Sequence, residues 1–162
     1  MAEFMMESEL RGDTELVLRR KFRAPKALVF KCFTDPTILP KWLCPPFGKS
    51  IYCAVDVEIG GVWRHKIDMG EYGMFDSFGQ TLEFSAPDRY VRSDVVNVPV
   101  AREAISTETA TFSEVDGVTT VELVVRHMSK ELRDENAASG VVEGTGGAFE
   151  ALDGILTSLQ NA

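Results

Sequence analysis

Hydrophobic and polar residues alternate along much of the chain, and this two-residue period is typical of β-strands. The first clear case is residues 15–24, where Leu16, Leu18 and Phe22 share one face. Arg20 interrupts that face near its middle. The pattern predicts a strand that is buried on one side.

A short helical segment follows this strand. Pro25 suits the first position of a helix, because its fixed φ is already helical and its missing N–H is not needed there. Asp35 precedes Pro36, and a residue before proline is disfavoured in the helical region, so the helix is predicted to end there. Residues 37–42 are predicted to form a second helical turn.

The rest of the central region reads as consecutive strands separated by turn signals. Gly60 and Gly61 can supply the positive φ of a tight hairpin, and Gly117 marks another turn. Short connections between consecutive strands favour an antiparallel meander. The predicted strands are residues 50–57, 62–69, 75–84, 89–97, 103–115 and 118–128.

The C-terminal region changes to a helical period. Ser129 is a plausible N-cap, and the helix is predicted to continue to about Gln160. Glycines are unfavourable inside helices by roughly 0.5–1 kcal/mol each. They mark either a break between two helices or a thin helix face beside which a ligand lies. The glycines in question are Gly140, Gly144, Gly146 and Gly147.

Length and composition fit one globular domain. The chain has 162 residues, of which 44% are hydrophobic and 26% charged. This is enough chain to bury a substantial core. Residues 1–14 are polar and without period, so we expect a flexible N-terminal tail followed by a single domain over residues 15–162.

Charge and cysteine usage narrow the classes of partner. The net charge is −8, which argues against nucleic acid as a partner. The one dense basic cluster, Arg19-Arg20-Lys21 with Arg23, lies within a strand pattern whose alternate residues face solvent. We expect no membrane span and no signal peptide, because no apolar run is long enough and acidic residues interrupt the N-terminus. Three cysteines without a CxxC spacing favour free thiols, a cytoplasmic location and no metal site.

Several short motifs, in this order, resemble those of the START-like helix-grip (SRPBCC) superfamily. The similarity is greatest to the family named for activators of the heat-shock-protein-ninety ATPase, and it extends from about Glu15 to Leu159. The glycine-rich terminal helix adds to it, although Gly147-Ala148 stands where the family often has a Gly-Trp pair. The motifs are Ala24-Pro25, Phe30, Thr34-Asp35-Pro36, Trp42, Val55-Asp56-Val57, Gly60-Gly61, Trp63, Leu82-Glu83-Phe84 and Pro87-Asp88-Arg89.

The resemblance implies an α+β helix-grip fold. In it, a curved antiparallel sheet of six to seven strands wraps around a long C-terminal helix, with two short helices after the first strand. Such a fold can leave a cavity between the sheet and the helix.

Strand alternation places both histidines on predicted inward faces. His65 shares a face with Trp63 and Ile67, and His127 shares a face with apolar residues of the last strand. Both would then point into the same interior, where an imidazole can transfer a proton or bind a ligand. The alternative is that each lies at a strand end and bonds to backbone or water.

Aromatic residues are the other candidates for lining a cavity, unless they fill the core completely. Together with the histidines they give the predicted ligand-binding set. We predict no catalytic residue, metal or cofactor. The set is Trp42, Phe47, Trp63, His65, Ile67, Phe84, His127, Phe149 and Leu152.

These expectations favour binding of a small hydrophobic or amphipathic molecule, with a stress-related role as a further expectation. The resemblance leaves two alternatives open. One is a co-chaperone-like interaction domain with a chaperone partner. The other is a cofactor-free cyclase, dehydratase or hydrolase that uses a cavity histidine. A homodimer is a further candidate assembly.

Overall fold

The computed structural model describes residues 4–97 and 104–162. The elements in chain order are β1 Glu7–Arg11, β2 Glu15–Phe22, α1 Lys26–Thr34, α2 Leu39–Trp42, β3 Lys49–Val55, β4 Val62–Asp68, a 3-10 turn Gly70–Tyr72, β5 Met74–Ser85, β6 Arg89–Asn97, β7 Ala104–Val115, β8 Val118–His127, α3 Lys130–Ala138 and α4 Val141–Gln160. From β2 onward, this order matches the predicted order of strands and helices.

The strands form one antiparallel sheet in the order β1-β2-β8-β7-β6-β5-β4-β3. The prediction of a curved antiparallel sheet with a C-terminal helix is confirmed, but the strand count is eight rather than six to seven. The extra strand, β1, lies in the segment predicted to be a tail, and it pairs with β2 from Glu7 opposite Arg19 to Arg11 opposite Glu15. All five residues of β1 are exposed, so no buried alternation marks them.

Proline and aspartate set the limits of α1. Pro25 occupies the N-cap with φ −64° and ψ 145°, one position before the predicted one, and the helix ends before Asp35. The Asp35 carboxylate then accepts a hydrogen bond from the backbone N–H of Thr37 at 2.8 Å. This turns the chain into the second short helix, as predicted.

The C-terminal helical region is broken into two helices, which is the first of the two interpretations that its glycines left open. Ser129 caps α3 by accepting a bond from the N–H of Leu132 at 3.2 Å. Gly140 has φ 94°, which is left-handed and separates α3 from α4. Gly144 and Gly147 lie inside α4 on exposed positions, with nothing within 4 Å of an added Cβ. These two glycines therefore do not thin the buried face of the helix.

Helix α4 packs against the end of β2 and forms one side of the core. Phe149 meets Phe22 edge to face at 5.5 Å, Asp153 lies 3.5 Å from Arg20, and Gln160 donates to the carbonyl of Arg23. These contacts place the second half of α4 against the C-terminal end of β2. We call the side of the sheet that faces α4 the inner face.

Candidate functional site

Seven of the nine predicted cavity residues are buried. Phe47 and Phe84 are 63% and 41% exposed, so these two lie at the surface. Trp42 and Phe149 stack with ring centres 6.2 Å apart, and both belong to the main core together with Trp63 and Leu152. The buried seven are Trp42, Trp63, His65, Ile67, His127, Phe149 and Leu152.

The two histidines face the same side of the sheet but do not come together. His65 is on β4 and His127 on β8, and three strands lie between them. At a strand spacing of about 4.8 Å, this separates them by roughly four spacings along the sheet. The two histidines therefore belong to separate sites and do not act as a pair.

The inner face changes character across the sheet. On β2 and β8 it is largely apolar, whereas on β3 to β7 it carries a cluster of polar side chains. Strand register brings them together, because His65 pairs with Ser77 and Arg92 with Glu108. We call this cluster the polar wall, and its members are Ser50, His65, Ser77, Arg92, Asp94 and Glu108.

Asp94, on β6, accepts hydrogen bonds from Ser77 on β5 and from Trp63 on β4. Its Oδ1 accepts a hydrogen bond from Ser77 Oγ at 2.6 Å and from the indole Nε1 of Trp63 at 3.3 Å. All three residues are buried. The indole N–H is therefore satisfied and the orientation of its ring is fixed.

Arg92 lies directly over the face of this ring. Its Cζ is 3.7 Å from the Trp63 ring centre, which is a close cation–π contact. One terminal nitrogen lies 3.4 Å from each Glu108 oxygen, and Nε has no hydrogen-bond partner among the described residues. Burial lowers the pKa of the guanidinium, but the charges of Glu108 and Asp94 offset this and the pKa is raised overall. Arg92 is therefore a buried cation with unused donors.

His65 is bonded to Ser50 and is neutral over most of the pH range. Its Nε2 lies 2.9 Å from Ser50 Oγ. Burial, and then the nearby positive charge of Arg92, lower its pKa to about 4. The ring offers a neutral hydrogen-bonding group at the edge of the polar wall.

His127 has a different environment, at the end of β8 beneath α3. Its Nε2 lies 2.8 Å from Asn136 Nδ2, and its buried Nδ1 has no hydrogen-bond partner among the described residues. Burial and the charge of Arg133 lower its pKa. Arg133 itself donates to the carbonyls of Gly12 and Glu15 and so ties α3 to the β1–β2 turn. This arrangement serves the fold.

An open groove of about 620 Å³ lies outside the interior, near the end of β4. The exposed rings of Phe47 and Tyr72 meet across it at 5.8 Å. Beside Phe47, a Cβ at Gly48 would come within 2.9 Å of Ile67, which is on the inner face next to Ser50. The groove thus adjoins the end of the polar wall that holds His65.

Sequence reasoning missed most of the polar wall. In β6, Val91 and Val95 alternate with Tyr90, Arg92 and Asp94, and hydrophobicity alone would turn the valines inward. The only available signal was that Arg92 and Asp94 share the parity of Tyr90, an amphipathic ring. Ser50, Ser77 and Glu108 carry no comparable signal in the sequence.

Neither a metal cluster nor a membrane helix occurs in the described ranges. No group of three or more His, Cys, Asp or Glu side chains there has the arrangement of a metal site. The three cysteines are free thiols, and burial raises the pKa of Cys32 and of Cys53 to about 11. Within residues 4–97 and 104–162, no helix has both the length and the hydropathy needed to cross a membrane.

The architecture and the inner face define an α+β helix-grip protein. Residues 23–157 match the family described as Activator of Hsp90 ATPase homolog 1-like protein, and the chain belongs to that family. The resemblance seen in the sequence is thereby confirmed. No curated protein matches the chain.

Solved structures show the same fold at low identity. A protein from Rhodobacter sphaeroides is 24% identical with a TM-score of 0.85, and the match covers 95% of this chain and 99% of that one. A protein from Mycobacterium smegmatis is 24% identical with a TM-score of 0.81, covering 93% and 95%. One from Nitrosomonas europaea is 23% identical with a TM-score of 0.81, covering 94% and 100%. At this identity the likeness establishes the fold alone.

Proposed function

We propose that the protein binds a small hydrophobic or amphipathic molecule between the inner face of the sheet and α4. The main support is the uneven filling of the inner face along β7. Ala110 and Phe112 are buried, whereas Ser106 and Glu108, on the same face of the same central strand, remain partly exposed. The inner face is therefore less completely covered at one end of the sheet, and this is where we expect the ligand to bind.

Aromatic side chains close the interior at one end of the sheet. Phe112 packs edge to face against Phe30 and Phe33 of α1, with ring centres 5.4 and 5.1 Å apart. Helix α4 covers β2 through Phe149 and Phe22. The helices thus close the interior at the Phe112 end, and Ser106 lies two positions beyond Glu108 on the side away from that contact.

The chemistry of this interior suits a molecule with two unlike ends. Aromatic and aliphatic side chains on β2, β8 and α4 can contact an apolar body. The polar wall can contact a polar end. The groove beside Phe47 and Tyr72 lies next to Ile67, at the end of the polar wall that holds His65.

The enzyme alternative is less well supported by the geometry. Ser50 and His65 are 2.9 Å apart, which suits a nucleophile and its base. However, a base with a pKa of about 4 is poorly matched to chemistry near neutral pH. A chaperone partner, a homodimer, a stress-related role and a cytoplasmic location stay predictions.

Fluorescence titration with N-phenyl-1-naphthylamine, a neutral apolar dye, tests this proposal. We expect saturable binding with enhanced emission. Ser106→Phe should fill the proposed space and weaken binding by roughly tenfold or more, a change of about 1.4 kcal/mol. Ser113→Phe is the matched control, because Ser113 is exposed on the same strand, and it should leave binding unchanged.

Circular dichroism on each variant confirms that it is folded. If the dye does not bind the unmodified protein, the proposal is overturned. Equal affinity in the folded Ser106→Phe and Ser113→Phe variants would place the dye elsewhere on the molecule.

A further inference from the structure

We propose that the polar end of the ligand is an uncharged oxygen acceptor, such as a hydroxyl, carbonyl or amide, and that Arg92 donates the hydrogen bond to it. This inference rests on the proposed function and assigns the chemistry of the same site. It follows from the unused donors of Arg92 and from the charges that surround it.

Arg92 has more hydrogen-bond donors than the surrounding residues use. A guanidinium carries five N–H donors in a fixed plane. Only one of its nitrogens contacts Glu108, at 3.4 Å to each oxygen, and Nε has no partner among the described residues. A buried cation with unused donors favours an acceptor brought by the ligand. About a tenth of the side-chain surface remains open to receive it.

The local charge then selects the kind of acceptor. Asp94 and Glu108 lie around the single positive charge of Arg92, and both act on its pKa. His65 stays neutral above about pH 4. The described part of the polar wall is therefore net negative, so a carboxylate would add a third negative charge in a buried region.

A cationic end is disfavoured for a different reason. An ammonium group has no lone pair, so it cannot accept from Arg92. It would also lie beside a like charge. A hydroxyl or amide satisfies the open donor without bringing a net charge into the interior.

Trp63 makes the position of this donor reproducible. Its ring lies 3.7 Å from Arg92 Cζ and is fixed in turn by the bond from its Nε1 to Asp94. The guanidinium thus lies on the Trp63 ring, and one of its terminal nitrogens contacts Glu108. A donor held in place before binding loses little conformational entropy when the ligand arrives.

A displacement series with one tail and three head groups tests the inference. The probes are decanol, decanoate and decylammonium, each used to displace N-phenyl-1-naphthylamine from the protein near neutral pH and below its critical micelle concentration. A hydrogen bond from a charged donor corresponds to roughly tenfold in affinity or more, so decanol should displace the dye at about tenfold lower concentration than the other two.

Two variants separate the donor from the surrounding charge. Arg92→Lys keeps the positive charge but removes the planar donor, and it should reduce the preference for decanol to within about threefold. Glu108→Gln removes one negative charge and should raise the affinity for decanoate relative to decanol. Arg20→Lys is the matched control, because Arg20 is also buried against a ring, that of Phe22, yet lies on β2 away from the polar wall.

The outcomes distinguish this inference from the proposed function. If the dye binds but decanoate or decylammonium displaces it at the same concentration as decanol, the inference is overturned and the binding function still stands. An unchanged decanol preference in a folded Arg92→Lys variant overturns the role of Arg92. If Arg92→Lys does not fold, the Glu108→Gln result decides, since an unchanged head-group preference there contradicts the charge argument. Absence of dye binding overturns both.

Discussion

The guanidinium carbon of Arg92 lies 3.7 Å from the centre of the Trp63 ring, although the two residues are on β6 and β4 with β5 between them. Gly79 of β5 pairs with Trp63 and has no side chain to come between them. It also approaches β6 closely, since a Cβ built on it would lie 1.9 Å from the carbonyl oxygen of Ser93. One glycine thus permits both the strand contact and the stacked pair.

Gly79→Ala should therefore be strongly destabilising. The added methyl group meets the backbone of β6, which cannot move aside as a side chain can. We expect the free energy of unfolding to fall by about 3 kcal/mol or more, at the upper end for overpacking. Urea unfolding followed by circular dichroism measures it. A loss below about 0.5 kcal/mol would show that β5 and β6 are less closely apposed than described.

Gly144→Ala should have the opposite effect. Gly144 is exposed within α4, and nothing lies within 4 Å of an added Cβ. Alanine is favoured over glycine in a helix interior, so we expect a gain of about 0.5–1 kcal/mol in the free energy of unfolding. Dye binding should not change, because this position faces away from the interior. Lost binding would revive the interpretation that the glycines make room for a ligand.

His65 should make stability depend on pH in the mildly acidic range. Its pKa is lowered from 6.5 to about 4 in the folded protein, so the unfolded chain binds a proton there first. Stability from this group is complete above about pH 6.5 and is lost as the pH falls towards 4, by about 3 kcal/mol at most. Urea unfolding at several pH values measures the slope.

His65→Gln should flatten that slope, since glutamine can still bond to Ser50 but does not titrate. His127→Gln tests the other buried histidine separately, because burial lowers its pKa also. An unchanged slope in His65→Gln would mean that the imidazole is more hydrated in the folded state than its burial indicates.

The two tryptophans should report ligand binding unequally. Trp63 contacts the polar wall, whereas Trp42 donates to the carbonyl of Cys32 at 3.0 Å and packs on Phe33. In Trp42→Phe, the remaining emission from Trp63 should change when decanol binds. In Trp63→Phe, the emission of Trp42 should change much less. A larger response from Trp42 would place the ligand near α2 instead.

The sequence predicted the order of elements well because strand period and turn residues act locally. Strand β6 was placed at its observed limits, and Asp35 before Pro36 ended α1 as expected. Strand β1 was missed because it is held in place by pairing with β2. None of its own side chains is buried, so its sequence has no hydrophobic pattern. The break at Gly140 was one of two interpretations, and only the left-handed φ distinguished them.

The candidate site was less predictable because it depends on contacts across strands. His65 and Trp63 were identified by alternation, but their partners Ser50 and Asp94 lie 15 and 31 residues away in sequence. Phe47 and Phe84 were selected as aromatic residues, and the structure places both at the surface. Alternation assigns a face, whereas burial along that face depends on which helices cover it.

A crystal structure of the protein with bound decanol would test the central claim most directly. We expect the alkyl chain between the inner face of the sheet and α4, with its hydroxyl oxygen within about 3.2 Å of a guanidinium nitrogen of Arg92. Density for decanol only in the groove beside Phe47 and Tyr72, or on the outer face of the sheet, would contradict the account.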